Sequence, residues 1–247
     1  MQELITKIIA KSQNRFTFCI DLINELKLEN IAELGVYKGD FAKKILENSP
    51  LIKNYTMIDP WRNLSGWNKP ANKDNDTFNE FYKETLLKTD FAKEKRHILR
   101  GKTTEVIDQI DDDTYDFVYI DGDHTLKGIT IDLINLWPKV KKNGFVLGDD
   151  FSASIWQHSQ DFEPTMVFPF AVYFAEAVNT KIYSLPYDQF LITKGQTGFE
   201  FIDMTREKKY ANSELRTQLL KKSKSGFKSL IKNKIPFASK IYTVLKK

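Results

Sequence analysis

The sequence predicts an α/β fold: a mostly parallel, seven-stranded sheet with an antiparallel hairpin at its edge and helices on both faces. Three observations predict it. Runs rich in β-branched and aromatic residues alternate with segments whose apolar residues recur at three- and four-residue spacing, the pattern of βαβ units. Five of those runs stop at an acid or a glycine, at the carboxyl ends where an open parallel sheet presents its ligand crevice. Finally, KIYSLPYDQFLITKG holds two closely spaced apolar runs and reads as a hairpin.

Each element follows in order. Leu4, Ile5, Ile8 and Ile9, then Phe18, Leu22, Ile23 and Leu26, mark two helices over one end of the sheet. NIAELGVYKGD is the first strand, a glycine-bearing turn and the start of a helix over residues 41–47. NYTMIDPW is a second strand that stops at Asp59 and Pro60. Residues 62–76 are polar, with Gly66, Pro70 and several Asn, and read as a loop in the position of a lid; a helix then runs from Thr77 to about residue 93. RHILRG is a third strand with a short helix after it, and DDDTYDFVYID is a turn and a fourth strand ending at Asp121. A helix over residues 128–140, the KKNG turn and the fifth strand GFVLGDD follow, with a further helix over residues 166–178 before the hairpin. Right-handed crossovers put these helices on both faces. The expected organisation is N-terminal helices over residues 1–29, one binding domain over 30–205 and a basic extension over 206–247.

Composition narrows the function classes. At 41% hydrophobic residues the chain is ordinary for a globular protein, and no apolar run approaches the roughly 18 residues of a membrane span. The N-terminal segment carries acids and lacks an uninterrupted apolar stretch, so no secretory signal is expected there. One cysteine, Cys19, allows no intrachain disulfide and fits a reducing cytoplasm. Residues 206–247 hold 13 Lys and Arg against two acids, a net of +11, which leaves −7 of the total of +4 on residues 1–205. An acidic body argues against a domain built to hold nucleic acid. The tail interleaves its lysines with Phe227, Leu230, Ile231, Ile235, Phe237, Ile241, Tyr242 and Leu245, which suits the inner face of an anionic membrane and equally a solubilising tail.

The strand ends carry the chemistry. The first turn is Glu-x-Gly-x-x-x-Gly, and Gly35 and Gly39 let backbone approach a ligand closely. A dinucleotide pyrophosphate would ask for Gly-x-Gly-x-x-Gly at the helix N-terminus. That spacing is absent, and Glu33 repels a phosphate while attracting an ammonium. Asp59 is suited to accept from two ribose hydroxyls, so a nucleoside with a cationic amino-acid arm matches both acids.

Over residues 30–194, AELGVYKGDF, YTMIDPW and YDFVYIDGDHTLKGITIDLINLWPKVKKNGFVLGDDF together resemble the class I S-adenosylmethionine-dependent methyltransferases. Within them the motifs are similar to the bacterial sugar and natural-product O-methyltransferases of the macrocin and mycinamicin type. The resemblance implies a Rossmann-like class I fold and methyl transfer to a hydroxyl of a sugar or glycoconjugate. It places Glu33, Gly35, Tyr37 and Gly39 at the methionine end of S-adenosylmethionine, Asp59 at its ribose, and Thr103 and Asp121 close by. In metal-dependent relatives an Asp ending strand four and an acid pair ending strand five hold Mg²⁺; Asp121, Asp149 and Asp150 match them. His124 matches the base three residues beyond that first Asp. The chemistry needs such a set, because a hard dication on carboxylate oxygens acidifies and orients a hydroxyl, and an imidazole can then accept its proton.

Blander readings stand beside these. Asp59 before Pro60 also suits a turn, and Asp149 and Asp150 also suit a cap for a following helix. Asp123 either orients His124, serves as a ligand or is a solvated loop acid. His97 reads as structural, whereas His158 follows strand five and could face a substrate. Trp61, Trp67 and Trp156 flank the expected crevice and suit stacking or packing alike. The rival functions are methylation of a small aromatic or polyketide hydroxyl, a related hydroxylase, a NAD-dependent dehydrogenase, and a non-catalytic adaptor acting through the basic tail.

Overall fold

Helix α1 (Gln2–Lys11) buries Ile5, Ile8 and Ile9, one apolar stripe of a 3.6-residue period. Helix α2 (Arg15–Glu25) opens on a reciprocal cap in which the Asn14 side chain accepts from the amides of Phe16 and Thr17, both at 3.0 Å, and Thr17 Oγ1 accepts from the Asn14 amide at 3.1 Å. Such a cap contributes about 1 kcal/mol and fixes where the helix begins. The computed structural model describes residues 1–211 except 158 and 159, and also residues 213 and 215.

Among the described residues eight strands form one sheet: β1 (Asn30–Leu34), β2 (Asn54–Asp59), β3 (Arg96–Arg100), β4 (Tyr115–Ile120), β5 (Val140–Gly148), β6 (Lys181–Leu185), β7 (Gln189–Thr193) and β8 (Glu200–Asp203). Their order is β3-β2-β1-β4-β5-β7-β6-β8. β3, β2, β1, β4 and β5 run parallel, β7 is antiparallel to both of its neighbours, and β8 runs parallel to β6. This is the α/β architecture expected, with one strand more. The hairpin of β6 and β7 is present but does not end the sheet, because β8 pairs outside it; at four residues that strand is too short to show a period.

Helices α3 (Asp40–Asn48), α4 (Asn75–Lys88), α5 (Thr103–Val106), α6 (Leu126–Lys139) and α7 (Val167–Ala177) connect the strands. Three boundaries differ from expectation: α4 ends at Lys88, short of residue 93, and a separate 3-10 turn over Asp90–Ala92 follows it. Asp74 caps α4 through the Thr77 amide at 2.8 Å, which starts that helix ahead of its first apolar residue. The KKNG segment is no separate turn but the irregular start of β5, where the pairing with β4 shifts register between Tyr115 and Phe117.

The chain leaves β1 for β2 and β3 on one side and returns to β4 on the other, so the carboxyl ends of β1 and β4 border the crevice. Leu34 pairs with Ile120, which sets Gly35 beside Asp121. Beneath that point Phe41 stacks on Tyr119 with ring centroids 3.9 Å apart, and Trp61 is fully buried. His97 lies in β3, exposed, 3.2 Å from Asn54 Oδ1. Residues Met1–Arg206 make one compact unit and Glu207–Lys247 a second. Residues 209–211 of the second form a turn, while the apolar positions of the tail from Phe227 to Leu245, like His158, lie outside the described residues. Among the described residues no helix is long and apolar enough to cross a membrane.

Candidate active site

The β1 side of the crevice is built from a turn with left-handed backbone at Gly35 (φ 87°), Tyr37 (φ 55°) and Gly39 (φ 72°). A Cβ on Gly35 would stand 1.9 Å from the Asp121 carbonyl oxygen, and one on Gly39 would stand 2.9 Å from the Thr85 side chain. The close approach that needs these glycines is therefore between parts of the chain itself. Asp59 holds the turn from below: Oδ2 accepts from the amides of Val36 and Tyr37, each at 2.9 Å, and Oδ1 from that of Trp61 at 2.7 Å. The Trp61 indole donates to the Tyr37 carbonyl at 2.8 Å. Glu33 points into the core at 1% exposure, with the Tyr55 hydroxyl donating to Oε2 at 2.7 Å. Burial raises the Glu33 carboxyl well above its ordinary pKa, with Asp121 and Asp59 adding to the rise against the Tyr55 bond and Arg15. Burial raises Asp59 too, opposed by its three backbone bonds.

The β4 and β5 side is charged. Asp121, His124 and Asp150 bring one ligand atom each within 4.8 Å of one another. His124 Nδ1 lies against Asp150 Oδ2, and its Nε2 stands 3.4 Å from Asp121 Oδ1 without the alignment of a hydrogen bond. Burial by itself would lower the His124 pKa, but the nearby carboxylates of Asp121 and Asp150 outweigh it and raise the imidazole to about 10. Asp149 goes elsewhere. The backbone of Asp150 is left-handed (φ 56°), which turns the two neighbouring carboxylates to different partners, and Asp149 pairs with Arg15 at the start of α2. Arg15 Nη1 also reaches Asp121 Oδ2 at 3.4 Å. Among the described residues no helix follows Asp150 before α7, whose N-cap is Met166, so neither acid caps a described helix.

Two segments meet beside His124. Trp67 donates its indole N–H to Asp123 Oδ1 at 2.9 Å, and the same oxygen accepts from the Thr125 amide at 3.0 Å. The next residues of this loop are stitched to residues 161–165: Asn68 Nδ2 donates to the Asp161 carbonyl at 2.7 Å, and the Lys69 ammonium to the Glu163 carbonyl at 2.7 Å. Met166 closes the segment onto the His124 carbonyl at 2.8 Å. Lys69 is 6% exposed, and burial lowers its pKa against the pull of Asp123, Glu163 and Asp150. Trp156 stays 44% exposed. Thr103 is not gathered into the cluster; its hydroxyl donates to Asp132 Oδ1 of α6 at 2.6 Å, and burial pushes that carboxyl up to about 7. A cleft of about 550 Å³ by Met1, Thr6 and Lys181 contains none of these acids.

Sequence reasoning singled out neither Arg15 nor Lys69. Arg15 had a signal: a cation in the first turn opposes the helix dipole and needs a local anion to justify it. Lys69 had none, since its partners are carbonyls about 95 residues away.

Residues 32–151 match a family described as a methyltransferase domain, a span that runs from β1 to the residue after the acid pair. The chain is an S-adenosylmethionine-dependent methyltransferase. Among solved structures, a putative caffeoyl-CoA O-methyltransferase from Staphylococcus aureus matches the methyltransferase with a TM-score of 0.58 at 18% identity, covering 77% of this chain and 88% of that one. The SAH-bound methyltransferase PaMTH1 of Podospora anserina matches with a TM-score of 0.53 at 14% identity, covering 75% and 80%. At such identities the likeness establishes the Rossmann-like methyltransferase fold and nothing finer. No curated protein matches the sequence.

Proposed function

We propose that this methyltransferase is an O-methyltransferase that moves a methyl group from S-adenosylmethionine to a hydroxyl of a sugar or glycoconjugate, assisted by Mg²⁺ or a similar divalent ion. The convergence of Asp121, His124 and Asp150 at the ends of β4 and β5, inside the methyltransferase domain, carries the proposal. The similarity of the three motifs to sugar O-methyltransferases supports the acceptor class.

The residues fit a divalent ion. Carboxylate oxygens are the donors a hard dication takes. His124 Nε2 is a buried ring nitrogen without a hydrogen-bond partner, an arrangement that costs free energy unless a ligand or ion occupies the space it faces. Four acids, Asp121, Asp123, Asp149 and Asp150, against Arg15, Lys69 and a charged His124 leave a formal excess of one negative charge. Asp121 and Asp150 would hold the ion, with Asp149 as the third carboxylate. When bound, such an ion lowers the pKa of a ligated hydroxyl.

The chain's own residues do the rest. Asp121 and Asp150 orient the His124 ring; with an ion on those two carboxylates they would no longer hold the imidazole protonated, and the neutral ring could then receive the proton of the acceptor hydroxyl. Glu33 would answer the ammonium of the donor's amino-acid arm, since a nearby cation favours the ionised carboxyl that burial disfavours. Gly35, Tyr37 and Gly39 shape the turn around that arm, and Asp59, with three of its roughly four acceptor positions occupied, fixes the turn and keeps one for a ribose hydroxyl. Thr103 seats α5 against α6 through Asp132.

The test is methyl transfer from labelled S-adenosylmethionine to panels of glycosides and of phenols, with Mg²⁺ and after chelation. Transfer to a sugar hydroxyl that falls about 100-fold or more on chelation and returns with Mg²⁺ is expected. Turnover confined to phenols would displace the acceptor class, and chelation without effect would remove the ion.

A further inference from the structure

We infer that Arg15 is a resident counter-cation of the acidic centre, exchanged for a divalent ion, and that Asp149 joins the ion site only when α2 gives up this contact. The inference rests on the proposed ion site and concerns how it is loaded.

The guanidinium occupies oxygens that an ion would need. Arg15 contacts Oδ2 of Asp149, a carboxylate only 6% exposed, and Oδ2 of Asp121. Asp149 is the strand-five acid that stands apart from the Asp121, His124 and Asp150 group, and Arg15 is the partner it has instead. A guanidinium keeps its charge across the working pH range, so it leaves by displacement and not by losing a proton. A dication arriving on the same oxygens repels it at close range.

The placement of Arg15 permits that departure. The side chain is 35% exposed, and beyond the two carboxylates it lies loosely over the neighbouring Phe16 ring, 5.3 Å from the centroid. Its backbone is anchored independently by the Asn14 and Thr17 cap, and the α1–α2 turn is tied down by the Tyr187 hydroxyl on the Ser12 carbonyl at 2.9 Å. The arginine can therefore swing to solvent without unfolding the helix start. A positive side chain there works against the helix dipole, so α2 gains from releasing it once another cation neutralises the acids. Without an ion the arginine limits the repulsion among Asp121, Asp149 and Asp150; with one it is redundant.

The experiment is calorimetric titration of Mg²⁺ and Mn²⁺ into the full-length wild-type protein, Arg15→Gln and Arg15→Lys, with thermal melts to confirm folding. Arg15→Gln is expected to bind the ion about tenfold more tightly than wild type, and Arg15→Lys to fall between them, since lysine keeps the charge but not the fork. In wild type, saturating Mn²⁺ is expected to speed hydrogen exchange of the Arg15 side-chain protons while leaving the capped amides of Phe16 and Thr17 protected. Equal or weaker binding by a folded Arg15→Gln, beside a wild type that binds, overturns the exchange and leaves the ion site standing. No binding by any of the three proteins overturns both.

Discussion

Glu33 and Asp59 on one flank of the crevice, and Asp121, Asp149 and Asp150 on the other, are acids at the ends of neighbouring strands, yet the protein treats them in opposite ways. The first pair is buried and answered by neutral groups, a tyrosine hydroxyl for Glu33 and three backbone amides for Asp59. The second set is answered by cations, Arg15 and a His124 raised to about 10. Neutral donors hold a carboxyl in place without settling its charge, so burial decides and the carboxyl pKa rises. Cationic partners keep negative charge in place but compete with any ion that comes for it. One flank is thus ready for a ligand that brings its own positive charge, and the other must exchange one cation for another.

The largest expected effect breaks the charged flank. Asp121 faces both Arg15 and His124, so Asp121→Asn should lower methyl-transfer kcat/KM by about 100-fold or more and weaken ion binding in parallel. A loss confined to donor affinity would instead put Asp121 with the neutral flank. Next, Asp59→Ala leaves the amides of Val36, Tyr37 and Trp61 without their acceptor inside the protein, and urea unfolding should show a loss of about 3 kcal/mol or more. If stability held and only donor binding fell, Asp59 would be a ligand contact and not a brace.

Asp132 supplies a pH test of burial, the largest cause of its raised pKa. Its folded carboxyl titrates at about 7 against an ordinary 3.8, so the folded state retains a proton that the unfolded chain has already lost. The associated stability is complete below about pH 4 and is lost as pH rises through about 7. Asp132→Asn should flatten the curve of unfolding free energy against pH across that window; an unchanged slope would mean that Asp132 ionises freely. The smallest effect sharpens the neutral flank: Tyr55→Phe removes one hydrogen bond from Glu33 and should cost about 1 kcal/mol of stability. It should also raise the Glu33 pKa further, since that bond is what opposes burial, so donor binding would weaken more at low pH than at high pH.

Much of this was legible in the residues. The alternation of apolar runs gave the parallel core of the sheet, because a strand buried on both faces must be a short continuous apolar segment. Acids at the strand ends marked the crevice, since nothing in a strand's own packing asks for a carboxylate there. The eighth strand was not legible because four residues carry no period, and the KKNG segment misled because a register shift absorbs its turn signal. At the site, residue types were readable but orientations were not. Asp149 and Asp150 are adjacent in sequence, and one left-handed backbone step at Asp150 sends them to different partners.

The sequence by itself determined the order of the first seven strands and their helices and the identity of the acids at the ends of the parallel strands, because periodicity and chain connectivity are local properties. Only the tertiary structure decided which of those acids are buried among neutral donors, which are paired with cations and with what. Those outcomes depend on burial and on groups far apart in the chain: Arg15 lies 106 residues from Asp121, and Tyr55 reaches Glu33 only because β2 lies beside β1.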